Sequence, residues 1–276
     1  MSLMPKYSYF KLTIMKKGFL PILVLLFILL SSSKVFAQGK VTYTAILESQ
    51  DFRELKAELI FKDNRSLFSF LPDTAVKAEN EHSMNLNNAS NAEFEISMGE
   101  PLASYHQVFI DRHSQEIIAS ERYFENGELH PCITVEPTGV IDWKLKNEQK
   151  VISSFTATKA TASFRGRNYT AWFTTEISVD AGPWKFHGLP GLILEVYDDE
   201  KGVQFLISKI EIPNQGKPQD IEAPDKGKKL TIEEYATYQE NFVDELVELI
   251  QAKLPRDAKV SNISTTQVNK GIEREY

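Results

Sequence analysis

The sequence predicts a mainly β fold with a single C-terminal helix: a bent antiparallel sheet, half-barrel or two-layer, with an amphipathic helix packed on it. Three observations predict this. Most of the chain alternates apolar and polar residues with period two, tight-turn signals recur between those runs, and one stretch near the C-terminus has helical spacing.

The elements follow in order. Val41, Tyr43, Ala45 and Leu47 form one alternating run, and Leu55, Ala57, Leu59 and Phe61 form a second. Asp63-Asn64-Arg65 turns the chain into a short strand from Leu67 to Leu71. Residues 72–98, with Pro72 and several Asn, lack periodicity and read as a long exposed loop. Strands resume at Tyr105–Ile110 and Glu116–Tyr123 around the turn Asp111-Arg112-His113-Ser114, and Asn126-Gly127 marks another turn. Further strands are expected at Cys132–Val135, Ile141–Leu145 and Val151–Phe155. Thr156–Phe164 and Asn168–Thr175 then pair across Arg165-Gly166-Arg167, and Leu192–Tyr197 and Val203–Ile212 across Asp198–Gly202. Asn214–Lys229 connects sheet to helix. The helix, 231–254, opens with Thr231 and Glu234 as a capping box, carries Ile232, Tyr235, Phe242, Leu246, Leu249 and Lys253 on one stripe, and stops at Pro255.

The N-terminus reads as an address. Lys16 and Lys17 precede the apolar run Gly18–Leu30, a polar stretch follows, and Val35-Phe36-Ala37 supplies small residues for a cut before Gln38. Thirteen apolar residues are too few for a span of about 20. Residues 1–37 are therefore expected to be a signal peptide, and 38–276 a single β-rich domain. Met15 already begins a complete signal, so 1–14 read as a mis-start or dispensable extension. No Cys stands at the cut for a lipid anchor. The expected location is the periplasm, the outer membrane or the cell surface, with no stable membrane span after cleavage. Beyond Ala37 there are 26 basic and 38 acidic side chains, a surface that repels phosphate backbones and argues against nucleic-acid partners. One cysteine excludes an internal disulfide and a Cys-based zinc site.

Around residue 188 the chain reads His187-Gly188-Leu189-Pro190-Gly191-Leu192-Ile193. Pro190 suits the second position of a turn and Gly191 the φ > 0 position of type II, giving a rigid corner that feeds a strand. The hexapeptide Gly188–Ile193 resembles the signature of the GLPGLI family of exported bacterial proteins. Ile141-Asp142-Trp143, Phe164–Arg167, Tyr169–Thr174 and Gly182–Phe186 resemble the family pattern in order and spacing, over about Val140–Asp198. The resemblance implies an exported, β-rich, envelope-associated protein of uncharacterised activity. Where the family often has a Cys before the Arg-Gly-Arg turn this chain has Ala157, so no role for that thiol carries over.

Residues that carry chemistry are sparse. His82, His106, His113, His130 and His187 form no metal-binding motif and read as surface residues. Asp198-Asp199-Glu200 reads as a solvated hairpin tip, and Cys132 as a buried, inert thiol. No metal or cofactor is indicated. Trp172, Phe173, Trp184, Phe186 and Tyr197 cluster near the signature, and with Arg165, Arg167 and His187 they are expected either to line a pocket or to fill a core beneath the corner. The ligand-binding set is Arg165, Arg167, Trp172, Trp184, Phe186, His187 and Tyr197. The structural motif is Gly188, Leu189, Pro190, Gly191, Leu192 and Ile193. The preferred function is a non-enzymatic binding module for an apolar small molecule or an envelope protein. Its rivals are a secreted hydrolase using Glu176, His187 or Glu195, and a purely structural surface-assembly protein.

Overall fold

In the structure, a computed structural model, the described residues are 38–48, 54–72, 106–126, 128–212, 221–253 and 272–273, without the side chains of 243, 246, 250 and 253. The expected signal peptide, the body of the 72–98 loop, His82, Gly127, Pro255 and the side chains of Leu246 and Lys253 lie outside them.

Twelve strands make one open sheet: β1 (Gln38–Leu47), β2 (Glu54–Lys62), β3 (Arg65–Phe70), β4 (Gln107–Asp111), β5 (Glu116–Glu125), β6 (Glu128–Pro137), β7 (Lys144–Ile152), β8 (Phe155–Phe164), β9 (Arg167–Thr174), β10 (Leu192–Asp198), β11 (Val203–Glu211) and β12 (Lys228–Thr231). Their order is β12-β6-β5-β4-β3-β2-β1-β11-β10-β9-β8-β7. Period-two patterning does what it must: β1 alternates buried and half-buried residues along its whole length, and one face of the sheet takes Val41, Tyr43, Ala45 and Leu47. The β8–β9 turn places Arg165 and Gly166 at φ 48° and 73°, the two positive values a two-residue hairpin demands.

Three elements differ from expectation. The expected strand Val151–Phe155 straddles a turn, because Ser153 sits at φ 50° and reverses the chain between β7 and β8. Ile141 and Trp143 lie before β7 rather than in a strand; Ile141 is buried and Trp143 packs on the core. Within the expected connector 214–229 the chain already forms the start of β12, whose pairing with β6 is parallel, so the sheet is mixed rather than wholly antiparallel. A four-residue strand with two lysines has too little alternation to register as one.

The sheet is strongly curled. β6 and β9 are eight places apart, which in a flat sheet is roughly 38 Å at about 4.8 Å per strand. Yet Arg165, at the turn entering β9, pairs directly with Glu136 of β6. Register shifts in the β1–β11, β9–β10 and β7–β8 pairs add the local bends such curvature needs. The outer edge β7 carries Lys144, Lys146 and Lys150 and a register break after Leu145, features that discourage further strand pairing.

What fills the curl is the chain's own 175–191 segment, between β9 and β10. Phe186, fully buried, stands 4.7 Å from Tyr169, 5.2 Å from Trp184, 6.0 Å from Phe164 and 6.4 Å from Phe205, centroid to centroid. These edge-on and tilted pairings suit aromatic quadrupoles. Among the described residues a single helix, α1 (Ile232–Lys253), covers the β5–β6–β12 end. Its capping box is formed: the Thr231 amide donates to the Glu234 carboxylate at 2.8 Å and the Glu234 amide to the Thr231 hydroxyl at 3.2 Å. Tyr235 and Tyr238 pack over Tyr123 and buried Cys132, and Phe242 meets Phe124 at 5.1 Å. Burial pushes the Cys132 thiol up to about 12, consistent with an inert core residue.

Because Phe186 joins rings from β8, β9 and β11, Phe186→Ala is expected to cost about 4 kcal/mol in urea unfolding. A loss under about 1 kcal/mol would show that the segment does not anchor the interior.

Candidate functional site

The corner at Gly188–Ile193 is the point where the inner segment returns to the sheet. Its amides are tied locally: Leu192 N–H donates to Ile177 O at 3.1 Å, Ile193 N–H to Ala181 O at 3.0 Å, and Gly188 N–H to the Asp180 carboxylate at 2.5 Å. From outside the corner, the Trp143 indole donates to His187 O at 2.8 Å, and the Tyr43 hydroxyl to Ile193 O at 2.6 Å. Burial holds the Tyr43 phenol well above its ordinary range, so it stays a donor.

Geometry at the corner corrects the type II expectation. Gly191 N–H donates to Leu189 O at 2.8 Å, a three-residue turn centred on Pro190, whose fixed φ fits it. Positive φ falls instead on Gly188, at 89°, and on Trp184, at 52°. Gly191 is needed for a different reason: a Cβ there would stand 2.0 Å from the Thr174 carbonyl oxygen. Trp184 tolerates a left-handed conformation because its ring is locked in the interior at 1% exposure.

The seven expected ligand-binding residues do not come together; they divide between the two faces of the sheet. Along β9, Arg167, Tyr169, Ala171 and Phe173 share the inner face, and Thr170 and Trp172 the outer one. Trp184 and Phe186 are packed interior, with His187 beside them, 6% exposed, its Nδ1 2.8 Å from Lys185 O. On the outer face the Trp172 indole donates to the Tyr197 hydroxyl at 3.2 Å. Lys150 lies 4.5 Å from the Trp172 ring centroid and pairs with Glu195 at 2.5 Å. The aromatic residues near the signature thus form two groups, a core group inside and a smaller group outside capped by lysines.

Charges lie inside as well. Arg167, 4% exposed, donates to Asp198 and to Glu48, each at 2.6 Å, and to Ile272 O at 3.2 Å. Lys185, 1% exposed, stands 2.5 Å from both Glu136 and Glu273, and Arg165 shares Glu136. Burial alone would push the Lys185 ammonium down, but Glu273, Glu136 and Glu121 outweigh it and hold its pKa above the ordinary value. Next to this group His106 Nδ1 lies 3.3 Å from Glu121, and Tyr235 donates to the same carboxylate at 3.5 Å. Burial would push the Glu121 carboxyl up; His106, Lys185 and Tyr235 hold it below the usual range.

Sequence reasoning missed Lys185, Glu136 and Glu273 altogether. One signal was available: Glu136 continues the inward series Cys132, Thr134 on β6, and a carboxylate on a buried face demands a cation. Asp198 likewise faces inward rather than standing at a hairpin tip, and accepts the Val203 amide at 2.9 Å. His106 and His187, expected on the surface, are buried.

The three groups expected of a hydrolase are each engaged elsewhere. Glu195 holds Lys150 on the outer face, Glu176 accepts the Thr156 amide at 2.8 Å, and His187 is interior. No hydrogen bond joins any two of them among the described residues. Among those residues, no three His, Cys, Asp or Glu side chains gather to hold a metal ion, and no helix is long and apolar enough to cross a membrane.

Residues 165–195 match a family described as "Protein of unknown function (Porph_ging)". The match contains the whole corner and both inner cations, Arg167 and Lys185. No curated protein matches the chain. Among solved structures it is similar to "Structure of PNGF-II in P21 space group", at 15% identity and TM-score 0.48, over 73% of this chain and 33% of that one. A second PNGF-II crystal form gives 16% identity, TM-score 0.46 and coverages of 73% and 32%. An uncharacterized conserved protein from Thermus thermophilus gives 11% identity and TM-score 0.36, over 75% of this chain and 99% of that one. The chain spans about a third of the length of the PNGF-II chains.

Because Gly191 abuts backbone rather than a movable side chain, Gly191→Ala is expected to lower stability by about 3 kcal/mol in urea unfolding. Stability within about 0.5 kcal/mol of the parent would contradict the close approach at Thr174.

Proposed function

We propose that this chain is an exported cell-envelope protein of the GLPGLI family that acts by binding a protein partner rather than by catalysis. The observation carrying this reading is that the curled sheet is filled by its own 175–191 segment, with Trp184, Lys185 and Phe186 at 1% exposure or less. A carrier of apolar small molecules needs that volume free, because such ligands bury most of their surface. The interior aromatic rings are spent on one another, which favours an envelope protein over an apolar small molecule as the partner. The separation of Glu176, His187 and Glu195 speaks against acid–base work, which needs groups within hydrogen-bond reach of the same substrate.

Family membership is supported by the overlap of the 165–195 match with Gly188–Ile193. Export is supported by the charged, apolar and small-residue succession before Gln38, and the periplasm or the outer cell surface is the proposed location. An acidic exterior, with 26 cationic against 38 anionic side chains after Ala37, keeps nucleic acid out of the list of partners.

Expression of the full chain in a bacterial host, followed by fractionation and N-terminal sequencing, checks the reading. The expected product lies in the envelope fraction and begins at Gln38. A cytoplasmic product retaining Met1 or Met15 would contradict it.

A further inference from the structure

Inside the curl, two residues from the end of the chain occupy a prepared place. The Ile272 side chain is 8% exposed and joins the main core cluster. Its carbonyl accepts from Arg167 Nε at 3.2 Å and from the Tyr169 hydroxyl at 3.4 Å, and the next carboxylate, Glu273, lies 2.5 Å from the Lys185 ammonium. Both cations are held independently of this pair. Arg167 makes its two short bonds, 2.6 Å each, to Asp198 and Glu48, and Lys185 also has Glu136. Ile272 takes the longer bonds.

We propose that this crevice is a peptide-binding site, taking an apolar residue followed by a carboxylate from a partner protein, and that Ile272–Glu273 fills it in cis. Three features define the recognition. The carbonyl contacts accept any peptide backbone, the apolar slot selects an aliphatic side chain, and Lys185 selects a carboxylate in the following position. The donors are preorganised by their own acidic partners, so an incoming segment need not assemble the site. The Ile272 carbonyl takes longer bonds than Asp198 and Glu48 do, and Glu273 shares Lys185 with Glu136 on equal terms, so an incoming segment of the same chemistry competes for donors that are already in place. This inference rests on the reading of the chain as a partner-binding module and names the chemistry of the partner; it does not depend on export.

The test uses the chain 38–276 and a fluorescent, N-acetylated octapeptide of residues 269–276, Asn-Lys-Gly-Ile-Glu-Arg-Glu-Tyr, read by polarisation. A cis occupant present about nine-tenths of the time weakens binding about tenfold. Ile272→Ser with Glu273→Gln should therefore bind the octapeptide about tenfold more tightly than the parent chain. A peptide with Ser-Gln in place of Ile-Glu should lose that gain, and added Tyr169→Phe should weaken binding several-fold. A folded double variant that binds neither more tightly than the parent nor selectively for Ile-Glu overturns the proposal. Should the double variant fail to fold, hydrogen exchange on the parent chain decides. Saturating octapeptide then speeds exchange at 272–273 if the site exchanges its occupant, and unchanged exchange overturns the proposal. A failed binding test leaves the fractionation result standing, and the reverse is equally true.

Discussion

Glu136 holds together two parts of the sheet that a flat arrangement would keep far apart. It sits on the inner face of β6 and is shared by Arg165, from the β8–β9 turn, and Lys185, from the inner segment. Buried carboxylates and ammonium groups are costly to desolvate, and removing one member of such a group costs about 3–5 kcal/mol because the others are left uncompensated. Curvature is therefore coupled to charge. If the curl opened, Lys185 and Arg165 would lose a partner in surroundings that offer little water.

The same constraint explains why the inner segment is so heavily determined. Its backbone is tied to itself through Ile177 and Val179, to the start of β10 through Ile177 and Ala181, and to the segment before β7 through Trp143. Its rings complete an aromatic core with residues from three strands. The corner at Gly188–Ile193 marks where this segment must rejoin β10 at contact distance from Thr174, so a side chain at Gly191 has nowhere to go. A rigid corner is here a consequence of filling the interior. What is left over is a set of donors already positioned by their acidic partners, with a short apolar–acidic segment resting on them, and the proposed function is built on these.

Much of the architecture was legible because it rests on local chemistry. Alternation identified β1, β2 and most later strands; Arg165-Gly166 announced its hairpin; Thr231 and Glu234 announced the helix start. What stayed hidden was non-local. A parallel partner for Lys228–Thr231 cannot be read from four residues, and Ser153 gave no sign of adopting positive φ. The aromatic residues near the signature were legible as a group, but a one-residue step in β9 sends Phe173 inward and Trp172 outward, and spacing alone assigns no face. Lys185 looked like any surface lysine between Trp184 and Phe186, because its partners Glu136 and Glu273 lie 49 and 88 residues away along the chain.

The closure of the curl is measurable as one distance. Spin labels at the exposed positions Ser163 and Pro137 flank the Arg165–Glu136 pair, with Cys132 buried and out of reach of the labelling reagent. Pulsed electron–electron resonance should give a single short separation, set by the few residues between the labels and the ion pair. A distribution centred near the roughly 43 Å of nine flat strand spacings between β6 and β8 would mean that the sheet is open and the interior unfilled.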